Sequence, residues 1–445
     1  MRPKEETPKP KLRRALGLFE TTLYGVGIIL GAGIYALIGE AAGIAGNMVW
    51  LAFAISAVIA AFTALSYAEL GSLFAKAAAE FVYVKNAFRS RLLAFIIGYT
   101  TVLVGIITAA TVSLGFGGYF ISLFGGSIVP IAILVVLAFS ALNFIGIRES
   151  MRLNVIFTLV ETGGLILIII LGASFLGGVN YFETPPAAEQ GFLSPITVAV
   201  ALIFFAFIGF EDVVNIAEET RQPKKTIPRA LLLALGISTV IYMLVSLVAV
   251  SVVPYTELAE SSAPLALVAD RATGGGWGWL LSIIALFSTA NTILISLIVA
   301  SRMLYGLGEE GVLPKMISVV HSKTRTPYLA IIVTFLAAVF FLSIGDISTV
   351  AFLSDFAIFT LFFFVNASVI ALRYVMPGEK RGFRVPFNIG KFPLLPLFGC
   401  LSSLYMLTQF FAPMELMGLE FPVIFFGLAM VLAAVPIYFL FNRGK

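Results

Sequence analysis

The chain has 445 residues, 60% hydrophobic and only 12% charged, with a formal net charge of +4. A soluble protein carries about 25% charged residues, which excludes a water-soluble globular domain, and with no basic cluster on a soluble segment a nucleic-acid partner is not expected. One cysteine (Cys400) and one histidine (His321) rule out a disulfide framework, a thiol or His-rich metal site, and a recognisable Ser-His-Asp arrangement.

Residues 1–16 read as a short disordered cytoplasmic tail. A basic start suits a secretory signal, but the apolar stretch behind it is full length, interrupted by glycines and lacks a small-residue cleavage site. A helix crossing the hydrocarbon core needs about 20 mostly apolar residues. Twelve runs meet this, at roughly 18–42, 48–73, 92–122, 127–146, 153–178, 195–217, 229–253, 277–305, 327–344, 347–372, 392–412 and 421–441. All 28 Lys and Arg residues except Arg271 fall in the tails or in alternate loops, from Arg2 to Arg14 at one end to Arg443 and Lys445 at the other. The opposite loops carry acids, among them Glu183, Glu189, Glu257, Glu260, Asp270 and Asp346. Short basic loops stay on the cytoplasmic side during insertion. The pattern predicts a multi-pass protein of the cell membrane with both termini in the cytoplasm. No connection is long enough for a separate soluble domain. The acidic ones, 179–194 and 254–276, can form small caps on the outer mouth. Residues 17–445 therefore read as one membrane domain embedded in the lipid bilayer.

Two spans differ from the rest. The first contains YGVGIILGAGIYALIG, with Gly25, Gly27, Gly31, Gly33 and Gly39. The sixth contains FFAFIGFEDVVNIAEE, where Gly209 precedes Glu211 and Asp212. Glycine weakens a helix, and a charge pair inside a span is rare and usually faces a cavity. Each segment is a candidate for a helix broken in mid-membrane, which is tolerated only where the freed backbone lines a cavity or is buried in protein. A half-helix start offers N–H groups to an anion, and unwound carbonyls suit a cation. A zwitterion has one of each. Close helix contact is the alternative for the glycines, since Gly27 and Gly31 have the G-x-x-x-G spacing. The breaks stand five spans apart, where inverted five-span repeats place their discontinuous helices. The halves share no visible identity, so the repeat rests on spacing.

The string GIILGAGIYALIG resembles the first-span motif of the amino acid–polyamine–organocation superfamily. FFAFIGFEDVVNIAEETRQPKKTIPRAL resembles its sixth span and following loop, ASRMLYGLGEEGVLPK the end of its eighth, and SYAELGSLF the end of its second. The resemblance runs from about Leu18 to Tyr374 and beyond, and is nearest to prokaryotic amino acid permeases and the cationic amino acid transporter branch. It implies an all-α, twelve-helix membrane fold of the LeuT type. Repeats of five spans would occupy about 18–178 and 195–372, with discontinuous helices one and six, and two peripheral helices would follow at about 392–441. It also implies a substrate pose. The carboxylate of an amino acid would meet the N–H groups of Gly31, Ala32 and Gly33. Its amino group would meet the carbonyls of Ile29, Phe205, Ala206 and Ile208. The sequence departs from the pattern after span two. Ala75, Ala78 and Ala79 stand where the family often has a proline and a Gly-Gly pair, which puts the behaviour of an inner gate in doubt.

Several acids lie within spans. Glu161 sits well inside the fifth, where a carboxylate costs on the order of 3 kcal/mol or more. By resemblance it occupies the place where some proton-coupled relatives carry a lysine, near the Gly27 carbonyl and Ser288 or Thr289. It can serve as a proton-coupling group, as a structural hydrogen-bonding group, or with the hydroxyls as a Na⁺ site. Glu211 contributes by resemblance to a proton response, or caps the broken segment, as does Asp212. Asp355 is a candidate outer gate, or a side chain reaching toward the outer face. Glu69 and Glu20 read as inner-gate or helix-terminus partners of nearby Lys and Arg. The expected function is alternating-access uptake of L-amino acids with H⁺. An ion-independent exchanger is the rival within transport, and a non-transporting amino acid sensor the rival from another class. No metal or cofactor is expected, because the breaks offer Gly, Ala, Ile and Phe rather than metal ligands. No nucleophile–base pair has the spacing of an enzyme.

Overall fold

The structure is a computed structural model. It describes residues 16–445 except 75–78, 146, 186–194, 217–219, 325, 412, 417–418 and 443–445. The N-terminal tail before Leu16, and the departure at Ala75 and Ala78, lie outside the described residues.

The chain is helical. The first apolar run divides into α1 (Leu18–Ile29) and α2 (Ala32–Ala45), separated at Leu30 and Gly31. Then come α3 (Val49–Leu73), the short α4 (Ala79–Phe88), α5 (Arg91–Phe124), α6 (Ile128–Ile145) and α7 (Ile147–Gly172). The sixth run is α8 (Pro195–Ile203) followed by two 3₁₀ turns, Phe204–Phe207 and Phe210–Ile216, with Ile208 and Gly209 between them. After it stand α9 (Pro223–Val252), α10 (Tyr255–Glu260), α11 (Pro264–Thr273), α12 (Gly278–Glu309), α13 (Tyr328–Leu342), α14 (Ile347–Val375) and α15 (Leu394–Gln409). The last run divides into α16 (Val423–Leu432) and α17 (Ala434–Asn442). Two small antiparallel hairpins pair β1 (Asn388–Ile389) with β2 (Phe392–Pro393), and β3 (Pro413–Leu416) with β4 (Leu419–Pro422). Among the described residues, nine helical stretches are long and apolar enough to cross a membrane, and α1, α13 and α15 are shorter apolar helices.

Local chemistry sets the ends of these helices. Ser90 accepts the Leu93 N–H at 3.2 Å and caps α5; Asp346 accepts the Thr349 N–H at 2.7 Å and caps α14. Asp270 receives the N–H groups of Trp277 and Gly278 at 2.9 and 2.7 Å, so the chain turns sharply from α11 into α12. The connection 254–276, expected as a small cap, consists of α10 and α11 folded back over α2 and α12. Large side chains on the outside, such as Leu134, Ile170, Leu336 and Phe425, are exposed around the bundle. Water would make that surface costly, and hydrocarbon does not.

The site lies between two groups of helices. Helices α1, α3 and α9 pack together with the 210–216 turn. Helix α5 forms the spine of the other group, against α12, α14, α6, α13 and α4. Basic connections stand at one end of the bundle, called here the basic face, and acidic ones at the other.

Candidate functional site

The two broken segments cross at one point. Gly33, in the first turn of α2, lies so close to the Ala206 backbone that a Cβ would stand 2.5 Å from the Ala206 Cα. Only glycine allows that approach. On the other side Gly209 has φ +112°, open to glycine and strained for any other residue, and its α-carbon abuts Ile28. The glycines thus serve both expectations at once: they end helices and bring backbones into contact.

The freed backbone groups have partners. The Tyr242 hydroxyl of α9 lies against the carbonyls of both Ile29 and Ala206, the latter at 2.9 Å, and bridges the two breaks. The Ala32 N–H donates to Thr292 Oγ1 of α12 at 3.0 Å, and Thr292 also faces Gly31. The Phe205 carbonyl accepts the Ile208 N–H at 3.2 Å. Glu211 Oε2 accepts the Gly209 N–H at 2.9 Å, the geometry of the cap expected for it. Residues Ile29, Gly31, Ala32, Gly33, Phe205, Ala206 and Ile208 are therefore gathered at one place. Tyr242 and Thr292 occupy groups that the expected pose assigns to the ligand.

Beside the breaks lies a narrow cavity of about 80 Å³. Its wall runs from Gly27, Ile28, Ile208 and Gly209 past Asn291, Thr292 and Thr108 to apolar Val104, Ile295, Val299, Ile358 and Leu361. Toward the basic face it ends at Glu80, Glu211, Asp212 and Met303. A wider space of about 250 Å³ stands at the acidic face, lined by Glu40, Tyr119, Glu260 and Asp346 among others. Buried tyrosines lie below it: Tyr119 donates to the Tyr35 carbonyl at 2.9 Å, and Tyr35 donates to the Glu161 carbonyl at 2.8 Å.

The Glu161 side chain is fully buried on α7. Its polar neighbours are Ser288, Asn291 and Thr158. Neither of its carboxyl oxygens, nor the Ser288 hydroxyl, has a hydrogen-bond partner in good geometry. Thr158, one turn before Glu161, is the residue that abuts Gly27, so α1, α7 and α12 converge here. Of the expected neighbours, Ser288 lies at the carboxyl, whereas Gly27 lies against Thr158, one turn away. The Thr289 hydroxyl instead turns into its own helix, donating to the Ala285 carbonyl at 2.7 Å. Thr158, Asn291, Thr292 and Tyr242 are the polar residues that sequence reasoning missed. Single hydroxyl, amide and phenol groups in apolar helices carry no motif, although Asn291 and Thr292 stand only two and three residues after Thr289.

Asp355 is fully buried on α14, and its carboxyl oxygens are without a partner. It lines neither cavity, while its neighbour Ser354 shares a 3.1 Å hydrogen bond with Thr108 of the cavity wall. Glu69 is the centre of a buried ion-pair cluster on the basic face. Arg373 binds it with two guanidinium nitrogens at 2.7 and 2.5 Å, Arg381 at 2.9 Å, and the Val385 N–H at 2.8 Å. Glu20 caps α1 through the Gly17 N–H at 2.9 Å rather than pairing with a base.

Residues 16–435 match the family model described as amino acid permease. A branched-chain amino acid permease of Bacillus subtilis (strain 168) is 30% identical over 456 aligned residues, which cover 97% of this chain and 94% of that protein. A methylthioribose transporter of the same organism is 28% identical, covering 90% of each chain. A cationic amino acid transporter 4 of Homo sapiens is 29% identical over 83% of this chain, and the match spans 61% of the human protein.

Proposed function

The chain belongs to the amino acid permease family of the amino acid–polyamine–organocation superfamily, and from that premise we propose that it is a secondary active transporter of L-amino acids, coupled to H⁺ and working by alternating access. The observation that carries this reading is the meeting of the two broken helices beside a cavity, with carbonyls of both turned to one point. An amino acid there finds N–H groups for its carboxylate at the start of α2 and carbonyls for its ammonium at Ile29 and Ala206. The Tyr242 hydroxyl holds those carbonyls until the ammonium takes over. The apolar wall of Val104, Ile295, Val299, Ile358 and Leu361 suits an uncharged aliphatic side chain.

The fold in this reading is the twelve-span, five-plus-five inverted repeat, a single domain over residues 17–445 with cytoplasmic termini, in the cell membrane. Helices α1, α3, α9 and the sixth-span segments rock against the group built on α5. Glu161 carries the coupling proton. A buried carboxyl beside Thr158, Ser288 and Asn291 is held neutral by a proton when the cavity is closed. It can release the proton when α1 moves away from Thr158 and water enters. The basic face is then the cytoplasmic one, and the cavity side bearing Glu80 and Glu211 is the inner end.

The test uses purified full-length protein in liposomes and a panel of radiolabelled amino acids, with and without an inward proton gradient. Gradient-driven accumulation in wild type that is lost in Glu161→Gln, while counterflow exchange survives, is the expected result. Uptake indifferent to the gradient but dependent on internal amino acid would make the protein an exchanger and Glu161 a structural group. Binding without flux of any amino acid would make it a sensor.

A further inference from the structure

The connection between α14 and α15, on the basic face, carries a surface that the transport reading does not use. Residues 376–393 hold four bases, Lys380, Arg381, Arg384 and Lys391, against one acid, Glu379. Arg381 is taken up by Glu69. Arg384 and Lys391 are exposed and pair with no carboxylate among the described residues. Lys224 of α9 adds an exposed charge alongside, since its side chain lies against the Gly382 α-carbon.

The β1–β2 hairpin gives this segment two unlike faces. Ile389 pairs with Phe392 around a turn of Gly390 and Lys391, and Gly390, at φ +63°, fills the place glycine takes in tight hairpins. Successive side chains of a strand point to opposite sides. Asn388 points inward: its amide donates to the Val385 carbonyl at 2.8 Å, and its oxygen accepts from Arg373 at 3.1 Å. Arg373 is bound by Glu69, so the inner face is fixed to the buried ion-pair cluster. Phe387 and Ile389, on either side of Asn388, therefore point outward, and they are 70% and 69% exposed. Phe387 keeps this direction at φ +56°, which a bulky residue adopts only when its surroundings hold it there. Its carbonyl is fastened to the N–H of Leu394, the first residue of α15, at 3.0 Å.

The depth of the hairpin follows from α15. That helix has 16 residues, about 24 Å at 1.5 Å per residue, whereas the hydrocarbon core is about 30 Å thick. A span this short keeps its ends at the hydrocarbon boundary and the residues that flank it at headgroup depth. The hairpin also runs straight into α15, whose Phe398, Leu401 and Tyr405 are exposed on the outside of the bundle. Outward apolar side chains beside unpaired cations match one surface in particular, a leaflet with acyl chains within and negative phosphates at its edge. We propose that the β1–β2 hairpin is an anionic-lipid site: Phe387 and Ile389 enter the leaflet at the basic face, and Arg384 and Lys391 hold a phospholipid headgroup there. The proposal requires that the chain sit in a bilayer and does not depend on the transport reading.

Cys400 is the one cysteine of the chain, so Ile389→Cys in a Cys400→Ser background takes a single bimane label on the full-length protein in lipid nanodiscs. Acrylamide quenches a label in water, and lipids brominated on their acyl chains quench one in the membrane. The label at 389 should be quenched by brominated chains and shielded from acrylamide, as a label placed by Leu401→Cys is. Brominated phosphatidylglycerol among phosphatidylcholine should quench it more than brominated phosphatidylcholine among phosphatidylglycerol. Arg384→Gln and Lys391→Gln should each lower that selectivity by up to about fivefold, the equivalent of about 1 kcal/mol per basic residue at an anionic surface, and Arg384→Lys should keep it. A label open to acrylamide and untouched by brominated chains would place the hairpin in water, where it could serve only a soluble partner, and would overturn the proposal. Equal quenching by the two lipids would mean insertion without a headgroup site and would overturn it as well. So would a selectivity that both Gln substitutions leave intact, because other bases would then hold the headgroup.

Discussion

Replacing Glu69 with Gln removes the one negative charge from a buried cluster that joins α3 to the connection between α14 and α15. Both Glu69 and Arg373 side chains are at most 2% exposed. The carboxylate accepts two bonds from Arg373, one from Arg381 and one from the Val385 N–H. An amide keeps one acceptor oxygen and turns a donor toward a guanidinium, so the Arg373 charge is left buried and unpaired. Removing one partner of a buried ion pair costs about 3–5 kcal/mol. Arg381 has other acceptors, the Leu372 and Met376 carbonyls at 2.9 and 3.3 Å, so the loss concentrates on Arg373 and Val385. The connection should then detach from α3 more often, by about 10²–10⁴-fold at roughly 1.4 kcal/mol per factor of ten. Hydrogen exchange of the segment containing Val385, read by mass spectrometry under conditions where exchange reports the opening equilibrium, measures this directly. A double substitution, Glu69→Leu with Arg373→Met, should recover most of the protection, because apolar replacement of a whole buried pair is often neutral or stabilising. Unaltered exchange at Val385 in Glu69→Gln, or a double variant no better than the single, would refute the reasoning.

Two further substitutions probe the helix breaks. Tyr242→Phe leaves the Ile29 and Ala206 carbonyls without their shared donor, at about 1–3 kcal/mol for a buried polar group deprived of its bond. The variant should melt lower than wild type and gain more thermal stability from a transported amino acid, because the ligand's ammonium then fills the vacancy; an equal ligand-induced shift in both proteins would argue against the shared carbonyls. Gly209→Ala forces a side chain into a positive-φ position against Ile28. At about 1–2 kcal/mol for the backbone alone, with the contact in addition, it should abolish amino acid binding in scintillation-proximity assays while Gly236→Ala, where a Cβ meets nothing within 4 Å, leaves binding intact.

The first and sixth apolar runs show how much of the site was legible. Their glycines and the Glu211–Asp212 pair marked both breaks, since a helix interrupted in hydrocarbon needs residues that tolerate exposed or close-packed backbone. The partners of the freed groups were not legible. Tyr242 lies in an apolar span as one aromatic among many, and nothing local distinguishes a phenol that bridges two carbonyls from one that fills space. Thr289 and Thr292 are equally good hydroxyls in sequence. Their rotation about α12 sends one into its own helix and the other to the start of α2. Glu80 belongs to no motif in the sequence, and only the packing of α4 buries it.

Composition, the apolar runs and the alternation of basic loops depend on transfer energies summed residue by residue, and a single chain carries those sums openly. They determined that this is a helical membrane protein, where its helices lie and where two of them fail. Which faces meet is a property of pairs of helices far apart in the chain. Spans that are apolar all round have no solvent-facing stripe to announce their orientation. Only the tertiary structure therefore decided that Thr158 stands at Gly27, that Glu161 faces Ser288 and Asn291, and that Glu80 and Glu211 end up on one cavity.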